Sequence, residues 1–185
     1  MRLAGNAILL IVAANLAAPG MLPCQNRVAD EQSCRRFVQD FYDWYVPITN
    51  SRDDRFTVML RPRRESFDPK LWQMLATEDE AQSHADEIVG LDFDPIVNSQ
   101  DPSPQFKALS VSISDNHCRA LVIGFNQGVR EERVIPELVY SGRRWTFVNF
   151  HYRFEISGKW KDSDLIEILK DLQKSRAASN PEKTP

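Results

Sequence analysis

The chain has 185 residues, of which 42% are hydrophobic and 26% charged, with 23 basic against 26 acidic side chains and a net charge of −3. These figures exclude collagen, coiled coil, bulk disorder and a multi-span membrane protein, and they fit one globular domain that needs no metal or disulfide framework to be stable. The mildly acidic balance argues against nonspecific nucleic-acid binding, which calls for a basic surface.

Residues 3–18, LAGNAILLIVAANLAA, form an uncharged apolar run behind Arg2. That is the n-region and h-region of a secretory signal peptide. The run has 16 residues and includes Asn6 and Asn15, short of the roughly 20 apolar residues that span a bilayer. Ala18 and Gly20 supply the small residues for a cut before Met21. A lipid anchor on Cys24 is disfavoured, because Pro23 stands where a small residue is needed. The expected layout is a signal peptide over 1–20, an extended segment over 21–29, a single domain over 30–174 and a disordered tail over 175–185. Loss of Arg2 with the leader leaves 22 basic and 26 acidic residues. The expected location is the periplasm or the exterior, with no membrane span after the leader is removed.

In an oxidising compartment Cys24, Cys34 and Cys118 form one disulfide and leave one thiol. Chain entropy favours Cys34 with Cys118, about 4.5 kcal/mol, over Cys24 with Cys34, about 2.7 kcal/mol. Proximity decides between them, and spacing alone does not supply it. None of the three sits in a CxxC or in a metal-ligand spacing with His, so neither a metal nor a cofactor is expected.

From Asp30 the spacing predicts a helix with Asp30 as N-cap, Pro47 as its stop, and Phe37, Phe41, Trp44, Tyr45 and Ile48 on one stripe that Cys34 shares. Arg52, Arg55, Arg61, Arg63 and Arg64 then surround the apolar core FTVML. They read as a solvated face balanced by Asp53, Asp54 and Glu65 rather than as an anion site. Asp68-Pro69 has the form of an N-cap with proline in the first turn, opening a helix through Leu71, Trp72, Met74 and Leu75. His84 lies on the polar end of that helix.

After Gly90 the period changes to two. LDFDPIV alternates at its start, and FKALSVSISD, CRALVIGFNQG, ERVIPELVYSG and RRWTFVNFHYRF read as four strands of an antiparallel meander, with turns at Asp115-Asn116 and Ser141-Gly142. His117 and Cys118, being adjacent on a strand, point to opposite faces. Residues 159–174 read as a closing helix capped by Asp162 or Ser163, with Leu165, Ile168, Leu169 and Leu172 on one face. Helices followed by a strongly curved antiparallel sheet and a C-terminal helix make an α+β fold, whose open end is the default place for a ligand.

The stretch EIVGLDFDPIVNSQDP over 87–102 resembles the signature of an exported bacterial family known as domain of unknown function 3828. LRPRRESFDPKLWQML before it and WTFVNFHY after it are similar to that family in the same order, so the resemblance runs over about 37–172. Ile96-Val97 stands where members often have Phe-Leu. The resemblance implies the nuclear transport factor 2-like, cystatin-like cone, also the fold of ketosteroid isomerases and SnoaL-type cyclases. It implies no settled activity.

Chemistry is sought in the same acidic stretch. Asp92, Asp94 and Asp101, with Asn98, Ser99 and Gln100 between, gather three carboxylates and three polar groups. On a strand Asp92 and Asp94 would share a face and raise one pKa by like-charge repulsion, fitting them as acid and base or as hard-cation ligands. The architectural alternative has Asp94-Pro95 and Asp101-Pro102 starting turns, with the polar side chains satisfying loop backbone. No EF-hand spacing is present. By strand parity His151 shares a face with Trp145, Phe147 and Asn149 and lies opposite Tyr152, so it enters the cavity if Asn149 does; the favoured reading is a sheet-surface or satisfied histidine. The candidate binding residues are therefore Asp92, Asp94, Asn98, Gln100, Asp101 and His151, and no catalytic set can be assembled.

Three functions follow. The leading one is a non-enzymatic module that binds a small ligand or an envelope protein, with a homodimer through the sheet face as a further expectation. The second is a ketosteroid-isomerase-like enzyme using a cavity carboxylate as base. The third is an immunity-type inhibitor of a secreted toxin, plugging its partner with the 92–101 segment.

Overall fold

The first helix, α1 (Glu31–Thr49), begins where the sequence places it. The Asp30 carboxylate accepts from the Ser33 N–H at 2.6 Å, and Ser33 Oγ returns to the Asp30 carbonyl at 2.8 Å. A computed structural model describes residues 29–49, 55–84, 90–156 and 158–179. The leader, Cys24, Arg52 and the last six residues lie outside them. Pro47 does not stop α1, which runs two residues further. The buried stripe is Cys34, Val38, Phe41, Tyr42, Tyr45 and Val46, while Phe37, Trp44 and Ile48 flank it half-buried. The apolar arc is therefore centred about one residue away from the expected one.

Two short elements follow, α2 (Phe56–Leu60) and a 3-10 turn over Arg61–Ser66. Then comes α3 (Pro69–Ser83), capped by Asp68, which accepts from the N–H groups of Lys70 and Leu71. The arginine cluster disperses in this region. Arg55 pairs with Glu80 at 3.1 Å, and Arg63 and Arg64 lie over the rings of Trp44 and Trp72 at 5.3 and 5.7 Å.

The sheet is a five-stranded antiparallel meander in chain order: β1 (Gln105–Ser114), β2 (His117–Asn126), β3 (Val129–Ser141), β4 (Arg144–Ile156) and β5 (Lys159–Asp164). Four strands fall where period two put them. The fifth corrects the sequence reading: 159–164, expected as the start of the closing helix, is a strand paired with β4. Its polar residues lack an apolar signal because both edge and face are solvated. The helix α4 (Leu165–Ser179) is capped by Asp164, whose carboxylate accepts from the Glu167 N–H at 3.0 Å, and not by Asp162 or Ser163. It also continues past Lys174 into the segment expected to be disordered, because Arg176 makes a bidentate bond to the buried Glu78 of α3, at 2.8 and 2.6 Å.

Bulges shape the sheet. Leu138 pairs with Phe147 and Glu137 with Asn149, so Val148 is an extra residue in β4. Trp145 and Phe147 point inward before it, and Phe150 and Tyr152 after it. Pro136, in a central strand, sits beside this bulge, where the lack of an N–H is tolerated.

The helix α1 lies across β1 and β2 and finishes the open edge of β1. Gln39 bonds the carbonyl of Phe106 at 3.0 Å and the N–H of Ala108 at 2.9 Å, and Arg35 takes the carbonyls of Ala108 and Leu109. These bonds block the edge against further pairing. Cys34 on α1 is bonded to Cys118 on β2, and both are fully buried. The alternative pairing with Cys24 is excluded by that bond. Among the described residues no helix is long and apolar enough to cross a membrane.

The bond joins residues 84 apart in the chain, so its loss should destabilise the fold by up to about 4.5 kcal/mol through the unfolded state. Urea denaturation of the Cys34→Ala/Cys118→Ala variant beside the oxidised wild type measures this. An unchanged midpoint would show that the bond contributes nothing.

Candidate functional site

The segment 90–104 connects α3 to β1, and it is a loop rather than the strand its alternation suggests. Asp94-Pro95 opens a tight turn. The Asp94 N–H donates to the Ser99 carbonyl at 2.9 Å, the Asn98 N–H to the Asp94 carbonyl at 2.8 Å, and the Ile96 N–H to Asp94 Oδ1 at 2.8 Å. Asn98 takes the left-handed conformation, φ 58°, which Asn tolerates better than most residues. Ile96 and Val97, at the tip, are completely buried.

Three tyrosine hydroxyls hold this turn. Tyr45 donates to Asp94 Oδ2 at 2.8 Å, Tyr152 to the Pro95 carbonyl at 2.7 Å and Tyr42 to the Ile96 carbonyl at 2.7 Å. Burial raises the pKa of each tyrosine well above the ordinary range, and the Asp94 charge adds to it. All three therefore remain donors at any physiological pH. Further along, the buried Ser103 is held by two glutamates of β3. Its N–H donates to Glu132 Oε1 at 2.7 Å and its hydroxyl to Glu131 at 2.8 Å. Glu132 crosses β2 at Gly124, where any Cβ would collide with the carboxylate.

One side of the turn borders a cleft of about 490 Å³ between α2, α3 and the loop. Its apolar lining includes Phe56, Met59, Leu75, Leu91 and Phe93, and its polar lining includes Glu78, Asp79, Asp94 and Gln100. Each carboxylate is already engaged: Glu78 by Arg176, Asp79 by the Thr57 hydroxyl, Asp94 by Tyr45 and the Ile96 N–H. Burial pushes the Asp94 carboxyl up to about 6, against the bonds from Tyr45 and from the N–H groups of Ile96 and Val97. This is desolvation and not the like-charge repulsion anticipated for an Asp92–Asp94 pair. Asp92 is exposed and shares no strand face with Asp94.

The six candidate residues thus do not converge. Asp94 and Gln100 line the cleft. Asp92 and Asp101 are exposed, and Asn98 donates to the Arg133 carbonyl at 3.2 Å. His151 is on the other face of the sheet. The Val148 bulge reverses parity, so His151 points outward with Arg153 while Tyr152 points into the core, opposite to the strict alternation. There His151 Nε2 lies 2.7 Å from Glu137 Oε2, and Arg119 and His117 approach the same carboxylate at 3.3 and 3.7 Å. Burial opposes the ionisation of Glu137, but its bond to His151 and the Arg119 charge prevail and hold its pKa below the usual range. Asn149, on the same outer face as His151, accepts from the Ile166 N–H at 3.2 Å and so helps start α4.

Sequence reasoning missed Tyr42, and it set Tyr152 opposite Trp145 and Phe147, whose buried face it shares; that Tyr152 and His151 face opposite ways holds. A signal for Tyr42 existed, since Val38, Phe41, Tyr42, Tyr45 and Val46 fall at helical spacing. Among the described residues no group of three or more His, Cys, Asp or Glu is gathered to hold a metal ion.

Folded Asp94 keeps its proton up to about pH 6, whereas an unfolded Asp loses it near about 3.9. Its contribution is therefore complete below pH ~4 and is lost as pH rises through 6, because the native state binds the extra proton in that window. Asp94→Asn should remove this term, so its stability relative to wild type rises between pH ~4 and ~7. Denaturant midpoints of both proteins across that range test it. Parallel profiles would show that the carboxyl titrates normally.

No family model matches the chain, and no curated protein matches it. Among solved structures it is similar to a protein of unknown function from Bacteroides thetaiotaomicron VPI-5482, at 19% identity and a TM-score of 0.43, over 65% of this chain and 89% of that one.

Proposed function

We propose that the chain is an exported, non-enzymatic binding module with a nuclear transport factor 2-like cone, related to domain of unknown function 3828. Its ligand is a small molecule with an apolar body, seated in the cleft between α2, α3 and the 90–104 loop. The observation that carries this reading is that the cleft is walled by apolar side chains while each of its carboxylates is already bonded to the chain. Such groups orient a ligand but leave no acid–base pair to turn it over. The buried disulfide is consistent with an extracytoplasmic setting, as is the lack of a membrane-length helix among the described residues.

The neutral apolar dye Nile red should brighten on the wild-type protein. Met59→Trp, which fills the cleft without touching the tyrosine-held turn, should remove most of that signal. Equal fluorescence from the two proteins would place the dye elsewhere and overturn the reading.

One observation favours a second reading, the ketosteroid-isomerase-like enzyme. Asp94 combines a pKa of about 6 with a tyrosine hydroxyl at 2.8 Å on the wall of an apolar cleft. On that reading, conjugation of a β,γ-unsaturated ketosteroid, followed by ultraviolet absorbance, should proceed with wild type and stop with Asp94→Asn. No turnover by wild type would remove it. For the immunity-type reading, the 92–101 segment offers a partner its exposed side chains Asp92, Gln100 and Asp101.

A further inference from the structure

A second groove, of about 450 Å³, lies on the face of the sheet turned away from α1, bounded by β3, β4, β5 and the start of α4. Its charges are sorted. Arg119, Arg133 and Arg153 stand on strands β2, β3 and β4, whereas Asp162, Asp164 and Glu167 stand on β5 and α4. The sum over these six is zero, so the groove attracts no simple ion strongly. It presents a cationic wall facing an acidic one.

Most of these charges are engaged by the chain. Arg119 and His151 share Glu137, Arg153 reaches Asp162 at 3.4 Å, and Asp164 caps α4. Burial opposes the ionisation of Asp164, yet its bonds to the Glu167 N–H and Asn149 and the nearby His151 hold its pKa low, so that wall stays anionic. Two groups remain. No described carboxylate pairs with the guanidinium of Arg133, and no described cation pairs with the carboxylate of Glu167. Arg133 and Arg153 are moreover like charges on one face of adjacent strands, two residues beyond the Ile135–His151 pair, and Asp162 answers only Arg153. Between the walls the groove has an apolar lining residue, Ile135.

We propose that this groove binds a small zwitterion of the amino-acid or dipeptide type. Its carboxylate sits between Arg133 and Arg153, its ammonium is on Glu167 beside Asp164, and its aliphatic side chain rests on Ile135. Charge-assisted bonds at both ends give the selectivity, since a ligand lacking either charge leaves one wall unanswered. The site is separate from the cleft beside Asp94 and does not depend on that cleft's function.

Titration calorimetry with the dipeptide Ala-Ala tests the proposal, with N-acetyl-Ala-Ala, Ala-Ala amide and inorganic phosphate as comparisons. Ala-Ala should bind, and each capped form should bind about tenfold or more weakly. Arg133→Gln should weaken Ala-Ala about tenfold while leaving the amide form, which has no carboxylate, unchanged. Glu167→Gln should do the converse with the acetylated form. Both residues are exposed, so an unchanged melting temperature will confirm folding. No heat from Ala-Ala at millimolar concentration, equal affinity for the capped forms, or tighter binding of phosphate than of Ala-Ala would each overturn the proposal.

Discussion

The grip of three buried tyrosines on the turn 94–99 is the constraint from which the rest of the molecule is arranged. Tyr42 and Tyr45 come from α1 and Tyr152 from β4, so one six-residue turn ties the first helix to the fourth strand. Each bond contributes only about 1 kcal/mol net, but removal of a donor would leave a buried carbonyl or carboxylate oxygen unanswered, at a cost of about 1–3 kcal/mol. The turn in exchange inserts Ile96 and Val97 into the core, both fully buried. Ser103, held by Glu131 and Glu132, fixes the loop's other end to the sheet. Held at both ends, this loop forms one wall of the cleft beside Asp94.

A second constraint, the single extra residue Val148, divides the sheet's chemistry. Without the bulge, His151 would share a face with Phe147 and Tyr152 would lie opposite, removing one of the three hydroxyls from the turn. With it, the aromatic residues on both sides of the bulge face the core, and His151 and Arg153 lie on the outer face beside Glu137 and Asp162. The same local irregularity therefore serves the packed interior and the charge-sorted groove on the outside.

Much of the fold was legible in the chain. Asp30 and Asp68 as caps, four of the five strands and the turns at Asp115 and Gly142 follow from short-range chemistry, in which a side chain answers backbone groups a few residues away. The strand β5 is hidden because it is an edge strand with polar side chains, and the end of α4 lies beyond the expected Lys174 because its last turn is stabilised by Glu78, 98 residues from Arg176. Of the site, the DP-initiated turn could be read, since Asp before Pro and Asn at a left-handed position are local signals. The convergence of Asp92, Asp94, Gln100 and His151 could not be judged, because it depended on which face each residue took.

The sequence by itself determined the alternation of helix and strand, the caps and turns, and the fact that Cys34 lies on the buried stripe of α1. These depend on periodicity and on contacts within a few residues. Tertiary structure alone decided that Cys34 meets Cys118, that Asp94 is enclosed with Tyr45 while Asp92 is exposed, and that His151 belongs to the outer face. The reason in each case is the same: strand parity changes at a bulge, and partners distant in sequence meet only once helix and sheet have packed.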